Sequence, residues 1–329
     1  MEKVLITGAS GFIGGFLVEE AQKQGYEVFA AVRKSSNKAY LNNPEIKCID
    51  IDFNDGPNLM SMLEKHQFDH IIHNAGITKS KYQHELDRVN AEHSAFLAST
   101  AMEVIPTLKT FVFMSSLAAT GPADFQEGGI ICHDKQPRPV TMYGISKLKA
   151  EKLLKSIPGL PLVIFRPTAV YGPREKDIFA VFKMVKSGIE VKIGSHAQKL
   201  TFIYVEDLVK LIINSLKNNV AGRDYFISDG HVYNGDDLNR AIKQSLNKKT
   251  IKINLPLWLV KIVASCSEIW GNILGNYPIL NNDKLNELKA LNWQCDSPTA
   301  FEELKYSPEY NLSKGIDKTV QWYLKNKWL

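Results

Sequence analysis

The stretch Val4-Leu5-Ile6-Thr7-Gly8-Ala9-Ser10-Gly11-Phe12-Ile13-Gly14 decides how this chain is read. Its first residues are an apolar, partly β-branched run, which predicts a buried strand. Three glycines at three-residue spacing follow, and then a helical pattern, Phe16-Leu17-Val18-Glu19-Glu20-Ala21. Glycine at the end of a strand lets the backbone turn sharply and approach a ligand with no Cβ in the way. The helix beyond it aims free N–H groups and the positive end of its dipole into that turn, which suits a pyrophosphate. The spacing G-x-x-G-x-x-G departs by one residue from the G-x-G-x-x-G dinucleotide fingerprint, but the strand–turn–helix context is the one that fingerprint needs.

Working outward, apolar runs predict further strands at Val28 to Val32, Cys48 to Ile51, His70 to His73, Phe111 to Met114 and Leu162 to Phe165. Helical patterns lie between them at Asn58 to Lys65, Ala91 to Met102 and Met142 to Ser156. Strands alternating with helices imply βαβ units and a parallel sheet covered on both faces, with ligands in the crevice at the strands' carboxyl ends. The expected fold is therefore α/β, a Rossmann-type doubly wound parallel sheet with a smaller C-terminal substrate lobe. Beyond Arg166 the rhythm is broken by turns at Gly172-Pro173, Gly188, Gly194 and Gly230, and Lys314 to Lys325 reads as a closing helix. Phe202 to Asn214 and Tyr225 to Ser228 are expected to return to the sheet. The dinucleotide-binding domain is thus placed at 1–165 and 201–232, and the substrate lobe at 166–200 and 233–329.

Composition narrows the class. With 329 residues, 44% of them hydrophobic, the chain can bury a full core. The net charge is +5, yet the lysines are scattered, so no concentrated nucleic-acid or membrane footprint is visible. Four cysteines, Cys48, Cys132, Cys266 and Cys295, lie far apart without a C-x-x-C, which implies neither a metal site nor a disulfide framework. A reduced, cytoplasmic setting is expected. No signal peptide is expected, because the first strand starts at about Lys3. The apolar segment from Leu255 to Leu280 is broken by Lys261, Glu268, two prolines and two glycines, short of the ~18 apolar residues of a membrane span.

The chemistry lies between Ser115 and Lys147. Tyr143 and Lys147 are four apart in a helical stretch and share a face. A phenol with a pKa near ~10 is a poor acid or base at neutral pH. A neighbouring ammonium is expected to stabilise the phenolate and lower that value, fitting Tyr143 for proton transfer. Ser116 follows the fifth strand at its carboxyl end, where its hydroxyl could hold a substrate oxygen.

With these residues in place, the chain resembles the extended short-chain dehydrogenase/reductase family over nearly its whole length. Thr7 to Gly14 matches that family's cofactor turn, which implies cofactor contacts from Gly8, Ser10, Gly11, Phe12, Ile13 and Gly14. Asp52-Phe53 matches the pair that holds the adenine. Asn74-Ala75-Gly76 resembles the loop after the fourth strand, and Asn90 the helix asparagine that steadies it. Ser115 to Gly121, SSLAATG, places Ser116 at the catalytic serine, and YGISK carries Tyr143 and Lys147. RPTAVYGP, Arg166 to Pro173, matches the segment that passes the nicotinamide, with Pro167 and Val170 in contact, and FIYVEDL, Phe202 to Leu208, matches a later family signature. The resemblance implies that Tyr143 is the acid/base, that Lys147 binds the nicotinamide ribose and tunes Tyr143, and that Ser116 orients the substrate.

Departures from the family pattern narrow the reaction. Dehydratases resembling this family carry an Asp-Glu pair after the serine, where this chain has Leu117, Ala118 and Ala119, none able to exchange a proton. Sugar-nucleotide epimerases often have R-D-F-I-H-V with an arginine for the diphosphate; here Leu200 replaces it, with Lys199 and Arg174 as candidate substitutes. The SSLAATG pattern and the apolar Leu257 to Leu280 region resemble the reductase and hydroxysteroid-dehydrogenase branches. There Trp258, Ile262, Val263, Ile269, Trp270 and Ile273 would either cover an apolar substrate or pack as ordinary helix core. The expected function is an NAD(P)-dependent oxidoreductase acting on a secondary alcohol or carbonyl. The alternatives are an NAD-dependent sugar-nucleotide 4-epimerase and, more remotely, a non-catalytic dinucleotide sensor.

The second strand ends in Val32-Arg33-Lys34-Ser35 with no carboxylate, which favours NADP over NAD, Arg33 and Lys34 pairing with the extra phosphate. The expected partner is a small-molecule substrate, with no nucleic acid and no membrane span. A homodimer is expected from apolar residues away from the catalytic positions: Phe96, Leu97 and Ala101 on one helix, Leu148, Leu153 and Leu154 on the other.

Overall fold

The computed structural model describes residues 1–125, 128–194, 198–262 and 282–329. The first strand, β1 (Lys3–Thr7), runs into helix α1 (Phe12–Lys23) and then β2 (Glu27–Val32) and β3 (Lys47–Asp50). Helix α2 (Gly56–His66) leads to β4 (His70–His73), and α3 (Gln83–Asp87), a π-helical turn (Arg88–Glu92) and α4 (His93–Val104) lead to β5 (Thr110–Met114). A 3₁₀ turn (Leu117–Ala119), α5 (Met142–Lys155) and β6 (Leu162–Pro167) complete the catalytic half. These strands and β11 (Asp224–Ile227) form one parallel seven-stranded sheet in the order β11-β6-β5-β4-β1-β2-β3. The order reverses between β1 and β4, the switch point at which ligands of such sheets bind.

Residue alternation explains why the sheet is covered on both sides. Along β1, Val4 and Ile6 join a cluster with Leu17 and Val18 of α1 and Leu208 and Ile212 of α7 (Val205–Ser215). Leu5 points the other way, among Leu63 of α2, Leu97 of α4 and Leu154 of α5. Each such fully buried side chain contributes about 1.5–3 kcal/mol, and a strand buried on both faces reads as a continuous apolar run.

The remaining elements build the second lobe. Short strand pairs are made by β7 (Ala169–Tyr171) with β10 (Phe202–Tyr204), and by β8 (Ile189–Ile193) with β13 (Ile251–Leu255). A third pair joins β9 (Lys199–Leu200) to β12 (Tyr233–Asn234). Their core gathers Tyr171, Tyr204, Phe182 of α6 (Phe179–Lys186), Ile242 of α8 (Asp237–Ser245) and Tyr323 of the closing helix (Leu312–Lys325).

Three expectations change here. Phe202 to Tyr204 does not rejoin the main sheet but pairs with Ala169 to Tyr171, and the place beside β6 is taken by β11. The helix expected from Ala91 starts at Gln83 and passes through the π-helical turn. Leu97, Ala101 and Leu154, expected on an outward face, are buried in the core beneath the sheet, and Leu153 packs against that core; Phe96 and Ile145 are the exposed apolar residues of α4 and α5. Val263, Ile269, Trp270 and Ile273 lie outside the described residues. Among the described residues no helix is long and apolar enough to cross a membrane.

Candidate active site

The glycine turn sits at the switch point, and close packing dictates its composition. Gly8 has φ +66° and its missing Cβ would lie 2.9 Å from the backbone of Asn74 and Ala75. A Cβ on Gly14 would lie 2.0 Å from the Gly8 carbonyl oxygen. Helix α1 therefore starts tight against the strand end. Its N-cap is Gly11, which brings no side-chain cap to the first-turn amides. Gly8, Ser10, Gly11, Phe12 and Ile13 line a cleft of about 1140 Å³.

A buried chain of hydrogen bonds holds this turn to the loop after β4. Ser94 Oγ donates to the Asn90 carbonyl at 2.7 Å and lies 2.8 Å from His73 Nε2. Thr7 Oγ1 lies 2.8 Å from His73 Nδ1 and accepts from the Ala75 amide at 3.1 Å. The network assigns the proton to Nε2, with Thr7 donating to Nδ1. Burial pushes the His73 pKa down to about 3, so the ring stays neutral.

Asn90 completes the support. From the π-helical turn its Oδ1 accepts from the Ile77 amide and its Nδ2 donates to the Ile77 carbonyl, both at 2.9 Å, and Nδ2 also donates to Ser146 Oγ at 3.0 Å. All its polar atoms are spent on the chain. Gly14 and Asn90 do not themselves line the cleft; Asn90 steadies the Asn74–Gly76 loop from behind, the role its resemblance implied, and Gly14 packs helix to strand. Asn74, Ala75 and Gly76 do line it.

Ser116, Tyr143 and Lys147 meet at the far end of the same cleft. Ser116 caps the 3₁₀ turn, its Oγ accepting from the Ala118 amide at 3.2 Å. Helix α5 is capped by Thr141 Oγ1, which accepts from Gly144 N at 3.0 Å. Asp283, on the helix Asn282–Lys289, reaches across from the second lobe to accept from Met142 N at 2.8 Å. Ser116 and Tyr143 are hydrogen-bonded. Lys147 Nζ donates to the Met114 carbonyl at 2.7 Å and stands 5.9 Å from the Tyr143 ring centre.

The electrostatics differ from the expectation. Burial pushes the Tyr143 phenol up to about 12, opposed by the Ser116 hydrogen bond and reinforced by the Glu287 carboxylate. Burial also pulls Lys147 down to about 8, partly offset by Glu151. The lysine spends a donor on Met114, and desolvation of the phenol outweighs any help from the ammonium. Ser115 also lines the cleft, while its hydroxyl donates to Glu151, which holds Arg166 through bonds of 2.9 and 2.7 Å.

At the other end Arg33, Lys34, Asp52 and Phe53 line the cleft, as do Pro167 and Val170 along its side. Phe53 stacks on His93 with ring centres 5.3 Å apart, and Asp52 Oδ1 accepts from Asn54. Lys34 pairs with Asp50 at 3.7 Å, and Arg33 makes no ion pair among the described residues. Arg174, a candidate substitute for the missing epimerase arginine, is instead held by Glu19, Phe16 and Tyr40. His73, Asp283 and Tyr40 carried no motif and were found only in the structure. Among the described residues no cluster of potential metal ligands occurs.

These observations fit a dinucleotide. The turn admits no Cβ at Gly8 or Gly14, the first turn of α1 is uncapped, and one continuous cleft joins it to the tyrosine. The model of the NAD-dependent epimerase/dehydratase family matches residues 4–234. The chain belongs to this family. It is an NAD(P)-dependent enzyme of the extended short-chain dehydrogenase type.

Among curated relatives, it is 28% identical to a UDP-glucose 4-epimerase of Vibrio cholerae, over 98% of this chain and 96% of that one. It is 23% identical to a ceramide reductase of Caulobacter vibrioides, over 99% and 96%. A solved UDP-glucose 4-epimerase from Thermotoga maritima superposes with a TM-score of 0.79 at 19% identity, covering 99% of both chains, which shows the shared fold.

Proposed function

We propose that this family member is a dehydrogenase or reductase acting on a secondary alcohol or carbonyl. The observation that carries this reading is Leu200. Where the epimerase pattern has a diphosphate-binding arginine, Leu200 packs into an apolar cluster with Leu117, the residue after Ser116, together with Ile131 and Trp293. Leu117-Ala118-Ala119 likewise offers no group for dehydration.

When bound, the nicotinamide cofactor supplies or accepts the hydride. The backbone amides at Ser10 to Ile13 hold its diphosphate, and Asp52 and Phe53 border its adenine. Ser116 Oγ holds the substrate oxygen. Tyr143 Oη gives that oxygen a proton in reduction or removes one in oxidation. Lys147, charged below its pKa of about 8, holds the nicotinamide ribose and favours the phenolate as the proton leaves. NADP is the preferred cofactor on this reading, through the unpaired Arg33. The enzyme is cytoplasmic and dimeric, the exposed Phe96 and Ile145 meeting their copies across a two-fold axis; a monomer mass in light scattering overturns the dimer.

A second reading, sugar-nucleotide 4-epimerase, is favoured by the name of the Vibrio cholerae relative, and sugar 4-epimerisation more broadly by a 27% identical Escherichia coli relative named for an N-acetylglucosaminyl-diphospho-undecaprenol. Cofactor behaviour separates the two. A reductase consumes NADPH in proportion to product with carbonyl substrates, whereas an epimerase converts UDP-glucose with no net change in its cofactor. UDP-glucose conversion at constant cofactor overturns the first reading.

A further inference from the structure

The stretch Tyr171-Gly172-Pro173-Arg174 ends in a residue with an unusual set of constraints. Arg174 is held at φ +74°, a left-handed conformation rare for a residue with a Cβ. Its guanidinium carbon lies 4.4 Å from the Phe16 ring centre and 4.2 Å from that of Tyr40. Nη2 donates to Glu19 Oε1 at 2.7 Å. Nε and Nη1 are buried without a hydrogen-bond partner. A flat cation between two rings accepts that arrangement, because ring faces attract it where water and acceptors are excluded.

The position of these partners matters more than their number. Phe16 and Glu19 belong to α1, the helix that rises from the glycine turn. Tyr40 lies in the segment between β2 and β3, which also carries Arg33, Lys34, Ser36 and Asn37 along the cleft. Gly15 makes room: a Cβ there would come 3.3 Å from Arg174 Nη1 and 3.6 Å from the Tyr40 Cβ. The second glycine of the Gly14-Gly15 pair thus answers to Arg174, as the first answers to Gly8.

We propose that Arg174 is a positioning residue that clamps the 33–46 segment onto α1, and so sets affinity for the adenosine half of the cofactor. This rests on the reading of the cleft as a dinucleotide site. Arg174 does no chemistry; at the edge of the cleft, which it lines together with Tyr40, it fixes the wall against which the adenosine lies.

ADP-ribose binding by calorimetry, with cofactor KM and kcat, tests this. Arg174→Ala is expected to weaken ADP-ribose about tenfold and to raise the cofactor KM likewise, with kcat changed less than about threefold. Arg174→Lys does not rescue, since an ammonium cannot lie flat between two rings. Tyr40→Leu reproduces the loss and Tyr40→Phe does not. Combining Arg174→Ala with Tyr40→Leu costs little more than either alone. Backbone amide exchange in the 33–46 segment is expected to quicken in Arg174→Ala. Wild-type protein that fails to bind ADP-ribose overturns the dinucleotide reading itself. Wild-type affinity in Arg174→Ala, or in Tyr40→Leu should the arginine variant not fold, overturns the clamp.

Discussion

Gly144 of the catalytic helix and Ala118 of the serine turn meet backbone to backbone: a Cβ on Gly144 would stand 2.2 Å from the Ala118 carbonyl oxygen. Tyr143 precedes one of these residues and Ser116 lies two before the other. Their closeness is what brings phenol and hydroxyl into hydrogen-bonding range. Gly144→Ala must therefore push α5 away from the turn by about an ångström or more. A misplacement of that size can cost about 10²-fold in rate, and overpacking costs about 1–3 kcal/mol of stability. Turnover together with a thermal melt checks this, and near-normal turnover contradicts it.

Such contacts show where sequence reading stops. The glycine turn, the Tyr143–Lys147 pair and the alternating strands were legible because each is local: spacing alone puts the residues together. Gly8 and Ser10 to Ile13 could be placed on the cleft for the same reason, and Asn74 to Gly76 through their resemblance to the family's loop after the fourth strand. Asn90 could be matched to a motif, but whether it faced ligand or chain depended on Ile77, thirteen residues away. His73 is bound to Thr7, sixty-six residues distant, and Arg174 to Glu19 across the lobes. The apolar residues of α4 and α5 could have faced either the sheet or a partner, since helix periodicity does not say which surface a stripe covers.

Tyr143→Phe removes the proton carrier and leaves the ring. Turnover should fall about 10²–10⁴-fold, with ADP-ribose affinity unchanged within error. Near-normal turnover removes Tyr143 from the reaction.

Lys147 gives a pH signature. Its pKa is about 8 in the folded chain against an ordinary 10.5. Between those values the unfolded chain binds the additional proton, so this residue makes stability rise with pH from about 8 to 10.5. Lys147→Met should lose that rise, while Tyr143, pushed up to about 12, acts in the opposite direction in both proteins above pH ~10. Urea unfolding of both proteins at stepped pH reads the difference. Parallel curves would mean that Lys147 is not buried as a cation.

His73 predicts the acid limb. Its ring is held neutral with a pKa of about 3, while the unfolded ring titrates near 6.5. Unfolding takes up a proton in that window, so the stability from this site is intact above pH ~6.5 and is lost as pH falls toward 3, at up to about 1.4 kcal/mol per pH unit. His73→Gln keeps a donor and an acceptor but cannot titrate. Its stability should fall less steeply on acidification, by denaturant melts between pH 6.5 and 4; an unchanged slope contradicts the assignment.

Arg33 decides the cofactor. Its neighbour Lys34 is engaged by Asp50 at 3.7 Å, and both groups are exposed, so that pair is worth little and shields little. Arg33 stands at the end of β2 without an ion pair among the described residues, and it lines the cleft beside Ser36 and Asn37. A charge-assisted bond to a phosphate is worth about 1.5–3 kcal/mol, roughly 10–100-fold in affinity. Arg33→Ala should therefore weaken NADP by that factor and leave NAD within about twofold, measured by titrating each cofactor at one ionic strength. Asp50→Asn should tighten NADP slightly by freeing Lys34 and removing a negative charge near the phosphate. Equal loss of both cofactors in Arg33→Ala would show that the arginine braces the 33–46 segment and does not read the phosphate.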